Sequence, residues 1–285
     1  MAVSMPTLAE VLAEAGRAVE ADGRAVLCQI VRTEGSTPGK PGWRLLVRRD
    51  GRRYGNLGGG AFEALVEVDA AARLADPGSA SEVKRYYLTE TAVKGQATGM
   101  VCGGMVEVFL ELLVANPLLV IYGGGPVGQA LARAGELAGF DRLVVDDRPE
   151  FRDPDLFPAG THLAEVDGGF AGDHLAPFRG RQVYAAVVTR CWETDTAALA
   201  SLLSQRPPEL VYVGLMGSRR KIDRVVREVE ARGHRLDGLE LHAPIGLPLG
   251  GDAPGEIAIA VLAEILATRY RSAAREDLHV VDVPV

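Results

Sequence analysis

Apolar and polar positions change their period several times along the chain, and each change marks an element. From Thr7 the residues Leu8, Val11, Leu12, Ala15 and Val19 recur at helical spacing, with Thr7 and Glu10 placed as a capping box and Asp22-Gly23 as the stop. Residues 25–32 are mostly apolar and read as a buried strand. A loop too rich in glycine and proline for regular structure follows, from Thr33 to Gly42. Residues 43–49 and 52–57 read as strands joined at Asp50-Gly51, which predicts a type I′ hairpin. Gly58-Gly59-Gly60 then leads into a helix over 61–75, ended by Asp76-Pro77-Gly78. Strands over 84–88 and 106–114 complete this half, with Cys102-Gly103-Gly104 between them.

Past Asn116-Pro117 the pattern changes to strand–helix units. Leu118 to Tyr122 run into Gly123-Gly124-Gly125-Pro126-Val127-Gly128, and helical spacing continues through Leu131, Ala134 and Leu137. Gly123, Gly125 and Gly128 fit G-x-G-x-x-G, and Pro126 sits in the first turn, where a helix needs no N–H. The next strand, Leu143 to Val145, ends in Asp146-Asp147, the position at which a dinucleotide-binding unit holds a ribose hydroxyl. Strands over 161–166, 183–189, 210–215 and 239–242 alternate with helices over 194–204, after Ser218, and from Pro254. In the last helix Ile257, Val261, Leu262, Ile265 and Leu266 form the apolar stripe. The fold class that follows is α/β: an N-terminal α/β domain over 1–116, then a Rossmann-like, doubly wound, mostly parallel sheet over 117–272, and a tail over 273–285.

Composition narrows the function. A chain of 285 residues, 47% hydrophobic and 24% charged, has room for two ordinary cores. A net charge of -7 argues against general nucleic-acid binding, which needs a basic face. No apolar run approaches the roughly 20 residues that span a bilayer. The stretch Met1 to Thr7 lacks the basic and apolar regions of a signal peptide, and Cys28, Cys102 and Cys191 have no paired or metal-type spacing. The expectation is a reduced, cytoplasmic compartment with neither nucleic acid nor membrane as partner.

Two sets of residues carry candidate chemistry. Gly35-Ser36-Thr37 and Gly58-Gly59-Gly60 both follow strands, and the second opens a helix, so their N–H groups and hydroxyls suit an anion, with Lys40 and Arg44 near in sequence. Glu63 lies in the first helical turn, where the dipole favours an acid in any case. Cys102, beside Gly103 and Gly104, is either an open thiol for a ligand, metal centre or sulfur donor, or a small apolar core residue. The second set lies at strand ends: Gly123, Gly125, Gly128, Asp146 and Asp147, then Thr189-Arg190, then Ser218 and Arg219 with Arg220 and Lys221. Ser218 and its cations read equally as a phosphate site or a solvated helix face. No nucleophile–base pair and no ligand-like histidine spacing occurs, so no catalytic residue is nominated.

The order of these motifs, together with Tyr212-Val213-Gly214-Leu215, Gly217-Ser218-Arg219, Pro244-Ile245-Gly246-Leu247, Pro254, Glu256 and Glu264, resembles the xanthine dehydrogenase accessory factor family (the XdhC/CoxI type) over nearly the whole chain. The resemblance implies a maturation factor rather than an enzyme. Such a protein binds the molybdenum cofactor, a pterin with a dithiolene and a phosphate, while its terminal sulfur is installed, and helps insert it into a molybdenum hydroxylase apo-enzyme. The implied partners are that apo-enzyme, a cysteine desulfurase and a second copy of the chain. The cofactor-binding expectation falls on Gly35, Ser36, Thr37, Gly58, Gly59, Gly60, Glu63, Cys102, Gly103 and Gly104, with molybdenum near Cys102 only as part of the cofactor. Two departures, Pro126 and Arg190 where members often carry histidine, remove any role resting on those imidazoles. An NAD(P)-dependent oxidoreductase built on the second half, and a docking scaffold without a small-molecule ligand, are the alternatives.

Overall fold

The computed structural model describes residues 5–76, 79–88, 103–166 and 170–270. The chain divides into two units, Met1–Ala115 with Pro177–Arg181, and Asn116–Ala176 with Gln182–Val285.

In the first unit, α1 (Leu8–Asp22), β1 (Arg24–Glu34), β2 (Arg44–Arg48), β3 (Arg53–Gly55), α2 (Gly60–Ala75), β4 (Glu82–Tyr87) and β5 (Met105–Val114) follow one another. The strands form an antiparallel sheet in the order β3-β2-β1-β5-β4. Successive side chains of the central β1 point to opposite faces. Val26, Cys28 and Ile30 pack with Phe62, Val66 and Ala70 of α2, and Ala25 and Leu27 pack with Val11, Ala15 and Ala18 of α1. A helix on each face is why β1 reads as an unbroken apolar run and not as an alternation. Burial pushes the Cys28 thiol up to about 12, so it stays an inert core residue.

Two local expectations need correcting. The Thr7–Glu10 capping box forms, but α1 buries Val11, Ala15 and Ala18 while Leu8 and Leu12 stay exposed. Helical spacing allows either phase, and the small alanines let α1 lie closer to the sheet than the leucines would. The β2–β3 turn is not type I′, because only Gly51 of the pair is left-handed, at φ 80°. Gly51 N–H donates to Arg48 O at 3.0 Å and Arg48 N–H to Arg52 O at 2.9 Å, a three-residue loop whose last residue is the glycine.

In the second unit the order is β6 (Leu118–Tyr122), α3 (Pro126–Leu137), β7 (Asp141–Val145), β8 (Thr161–Ala164), β9 (Val183–Val187), α4 (Trp192–Gln205), β10 (Leu210–Leu215), α5 (Arg219–Ala231), β11 (Leu241–His242) and α6 (Pro254–Arg269). Short 3₁₀ turns at Pro149–Phe151 and Pro154–Leu156 connect β7 to β8 in place of a helix. The strands are all parallel and lie in the order β8-β7-β6-β9-β10-β11. Counted from β6, this is the 3-2-1-4-5-6 order of dinucleotide-binding sheets, with the switch point between β6 and β9. Leu131 and Ala132 of α3 and Ala258, Val261 and Ile265 of α6 pack with Leu119, Ile121, Tyr184 and Tyr212 on one face. The residues predicted as the apolar stripe of the last helix all belong to this core.

Candidate functional site

The first candidate site is a rim of loops at one end of the first sheet. Ser36 forms an isolated bridge with Gly103, and a Cβ on Gly104 would strike Ser36 O. A Cβ on Gly58 would strike the backbone of Pro38 and Gly39. The β1–β2 loop, the β3–α2 loop and the start of β5, distant in sequence, thus touch backbone to backbone, which only glycine at these points allows. Gly35, Ser36, Thr37, Gly58, Gly59, Gly60, Glu63, Gly103 and Gly104 are therefore brought together; Cys102 lies outside the described residues. Gly59, the N-cap of α2, has φ 73°, and among the described residues nothing lies within 4 Å of where its Cβ would stand.

The β3–α2 loop is nevertheless not an empty anion cradle. Glu63 folds back, and its Oε2 accepts Leu57 N–H at 2.6 Å and Gly59 N–H at 3.2 Å. Gly58 N–H donates to Asn56 Oδ1 at 2.5 Å. An internal carboxylate already sits where the sequence places an external one. Thr37 Oγ1 donates to Gly39 O at 2.9 Å, and Ser36 is exposed. Arg44 is tied to Gln29 and Gly42 O, while Lys40 is exposed.

The second candidate site is the carboxyl edge of the parallel sheet. A Cβ on Gly128 would strike Gly123 O, so this glycine lets α3 close onto the turn; Gly125 is the N-cap of α3 and Pro126 its first residue. Asp146, 1% exposed, accepts Gly124 N–H at 2.8 Å through Oδ2. Arg148 grips the same carboxylate with Nε on Oδ1 and Nη2 on Oδ2, each at 3.0 Å, and its guanidinium lies 3.8 Å over the Phe151 ring. Asp146 therefore holds the turn in place from inside. Asp147 meets Arg190 in a two-pronged pair at 2.6 and 2.7 Å, which holds its carboxyl below the usual aspartate range, and Arg148 Nε lies 4.0 Å from its Oδ1. Ser218 and Arg219 lie past β10, with β9 between them and the glycine turn. Ser218 Oγ accepts Lys221 N–H at 3.4 Å as the cap of α5, and Arg219 is exposed.

Beside the switch point is a cluster that sequence reasoning did not assemble. Thr189 Oγ1 donates to Asp195 Oδ1 at 2.5 Å and stands 2.6 Å from Thr194 Oγ1. Lys221 Nζ lies 2.5 Å from Asp195 Oδ2 and donates to Met216 O at 3.1 Å. Asp195 is fully buried, and burial raises its carboxyl pKa against the pull of Lys221 and Thr189. A Cβ on Gly123 would strike Val188 O, so the glycine turn abuts this strand end directly. The one sequence signal was the position of Thr189 and Lys221 at consecutive strand ends; Asp195 was hidden as an ordinary first-turn acid. The motifs near the C-terminus also converge: Glu264 Oε2 accepts Tyr212 O–H at 2.5 Å and Gly246 N–H at 2.9 Å.

Residues 119–265 match the model of the XdhC Rossmann domain, and residues 18–87 match that of the XdhC and CoxI family. The chain belongs to the XdhC/CoxI family. It is 33% identical over 261 residues to YqeB of Escherichia coli K12, covering 91% of this chain and 46% of that protein. It is 32% identical over 168 residues to a probable xanthine dehydrogenase subunit of Bacillus subtilis 168, covering 59% of this chain and 47% of that protein. The chain thus spans about half the length of the curated relatives it matches. A Bacillus halodurans crystal structure described as a xanthine dehydrogenase aligns over 94% of this chain and 98% of its own, at 20% identity and a TM-score of 0.46. Among the described residues no helix is long and apolar enough to cross a membrane.

Proposed function

We propose that the chain serves the maturation of a xanthine dehydrogenase-type molybdenum hydroxylase, holding the molybdenum cofactor while its terminal sulfur is installed and handing it to the apo-enzyme. A cysteine desulfurase as sulfur donor and a second copy of the chain complete the proposed assembly. The observation that carries this reading is the rim of the first unit, where glycine corners from three separate stretches meet and no atom of the described residues lies within 4 Å of a Cβ on Gly59, Gly60 or Gly103. A bulky, phosphate-bearing pterin fits such a cradle once Glu63 moves, because the Leu57 and Gly59 amides that it holds and the exposed Ser36 hydroxyl then supply donors. Glu63 acts as the resident anion: a ligand phosphate takes over the Leu57 and Gly59 amides as the carboxylate swings out. Cys102 precedes Gly103 in the chain, which brings a thiol to the same stretch. When bound, the cofactor supplies the metal–dithiolene chemistry, and the protein supplies binding and protection.

The test is mass spectrometry of ligand released from protein made in a cofactor-producing host. A fluorescent oxidised pterin is expected from the natural sequence. Gly59→Val, forced into left-handed backbone, should lose the pterin while the second unit stays folded. A preparation without pterin, or full retention in a folded Gly59 variant, overturns the assignment.

A further inference from the structure

β3 is the outermost strand of the first sheet, and beside it lies a cavity of about 550 Å³. Its wall includes Pro6 and Glu10 from the start of α1, Trp43 just ahead of β2, Tyr54 in β3 and Asn56 just past it. Both aromatic rings are anchored. Trp43 packs against the core that holds Val26, Leu45 and Phe62, and Tyr54 against the core of Val11, Ala15 and Leu46. Each is only partly buried, so each keeps ring surface for a ligand. A cavity of this size, walled by aromatic rings and a few polar groups, suits a compact small molecule.

The polar groups say what kind. Among the described residues, the Trp43 indole N–H, the Tyr54 hydroxyl and the Asn56 amide nitrogen have no hydrogen-bond partner. Asn56 Oδ1 accepts Gly58 N–H at 2.5 Å, which fixes the amide's orientation and leaves its NH₂ as the free end. An indole N–H and an amide NH₂ only donate, and a phenol hydroxyl is able to. The charges on the wall are already engaged. Glu10 Oε2 accepts Thr7 N–H at 2.7 Å and Thr7 O–H at 2.8 Å, and Arg53 Nη1 lies 2.5 Å from Glu67 Oε1. We propose that this cavity binds an uncharged, flat heteroaromatic ring that carries carbonyl oxygens. The ring lies against the aromatic wall, and its carbonyls accept from the indole, the phenol and the Asn56 amide. The cavity is built from residues outside the glycine rim, and its ligand is independent of the maturation reading.

Quinazoline-2,4-dione and quinazoline share one two-ring skeleton and differ in the two carbonyls, so the pair tests the donors. Titration of the full chain gives affinity by calorimetry and location by tryptophan fluorescence. The chain has two tryptophans, Trp43 and Trp192, and Trp192→Phe leaves Trp43 as the sole reporter. Saturable quenching of Trp43 by the dione is expected, with quinazoline binding about tenfold more weakly. Tyr54→Phe keeps the ring and should weaken the dione several-fold. Asn56→Asp keeps an oxygen for Gly58 N–H and replaces the free donor by an acceptor. It should weaken the dione about tenfold or more and leave quinazoline as it was. Circular dichroism checks that each variant is folded. Absence of dione binding at millimolar concentration overturns the site, as does saturable binding that leaves Trp43 fluorescence unchanged. Equal affinity for the two rings, or unchanged dione affinity in folded Asn56→Asp protein, overturns the donor assignment.

Discussion

Each unit carries a strand that ends in a glycine turn and a helix, yet the two treat charge in opposite ways. In the first unit the turn is closed by one carboxylate on backbone amides, Glu63 on Leu57 and Gly59, and the neighbouring loops meet backbone to backbone. In the second, aspartates near the sheet edge are matched by cations: Arg148 on Asp146 and within 4.0 Å of Asp147, Arg190 on Asp147 and Lys221 on Asp195. One edge is closed by a carboxylate on backbone N–H groups and the other by carboxylate–cation pairs, and how strongly each pair matters follows its burial. The same motif reading, a glycine turn awaiting an anion, thus covers two physically different constructions.

The sharpest way to break this contrast is Lys221→Met. It leaves Asp195 buried without its cation, which costs about 3–5 kcal/mol near neutral pH. The sign with pH follows from the raised carboxyl pKa. The folded variant holds the Asp195 proton more tightly than the unfolded chain, so the deficit is full above the folded pKa and shrinks as pH falls toward the ordinary aspartate value. Urea unfolding of both proteins across the acid range measures this, and a deficit that does not shrink in acid contradicts the burial argument.

Asp146→Ala comes next, at about 2–3 kcal/mol, because Gly124 N–H loses its acceptor while the part-exposed Arg148 can turn to water. Its effect should stay in the second unit: hydrogen exchange should quicken around Gly123–Gly128 and leave the first sheet unchanged. Exchange that quickens equally in both units would deny that Asp146 acts on the turn.

The smallest effect expected is that of Glu63→Ala, about 1–2 kcal/mol, from the two amides left without an acceptor. Glu63→Gln keeps one acceptor oxygen and should cost less than half as much. Thermal melts of the two variants decide it. Equal losses would mean that charge and not hydrogen bonding closes this loop, and the contrast between the units would fail.

Much of the architecture was legible before any coordinates. The periods of β6, α3, β9, β10 and α6, the caps at Thr7 and Ser218, and Pro126 in the first turn of α3 are local signals, and local energetics follow from local sequence. G-x-G-x-x-G carried its steric meaning in its spacing, since Gly128, in the first turn of α3, packs against the carbonyl of Gly123 where a Cβ has no room. What spacing left open was phase and partner. Leu8 and Leu12 face outward because the rotation of α1 is chosen by the sheet under it. Asp50 keeps an ordinary φ because its three-residue loop satisfies the strands on either side.

The sites divide along the same line. Sequence alone determined which residue types stand at the strand ends, and that the glycines there allow close approach. Only the tertiary structure decided what each polar group meets. Glu63 turns back onto its own loop, Asp146 turns inward to Arg148 while Asp147 reaches across β6 to Arg190, and Asp195 finds Lys221 from the next helix. Hydrogen bonds and ion pairs act over a few ångströms of space, and residues 43 positions apart along the chain, as Asp147 and Arg190 are, become neighbours only once the strand order places them there.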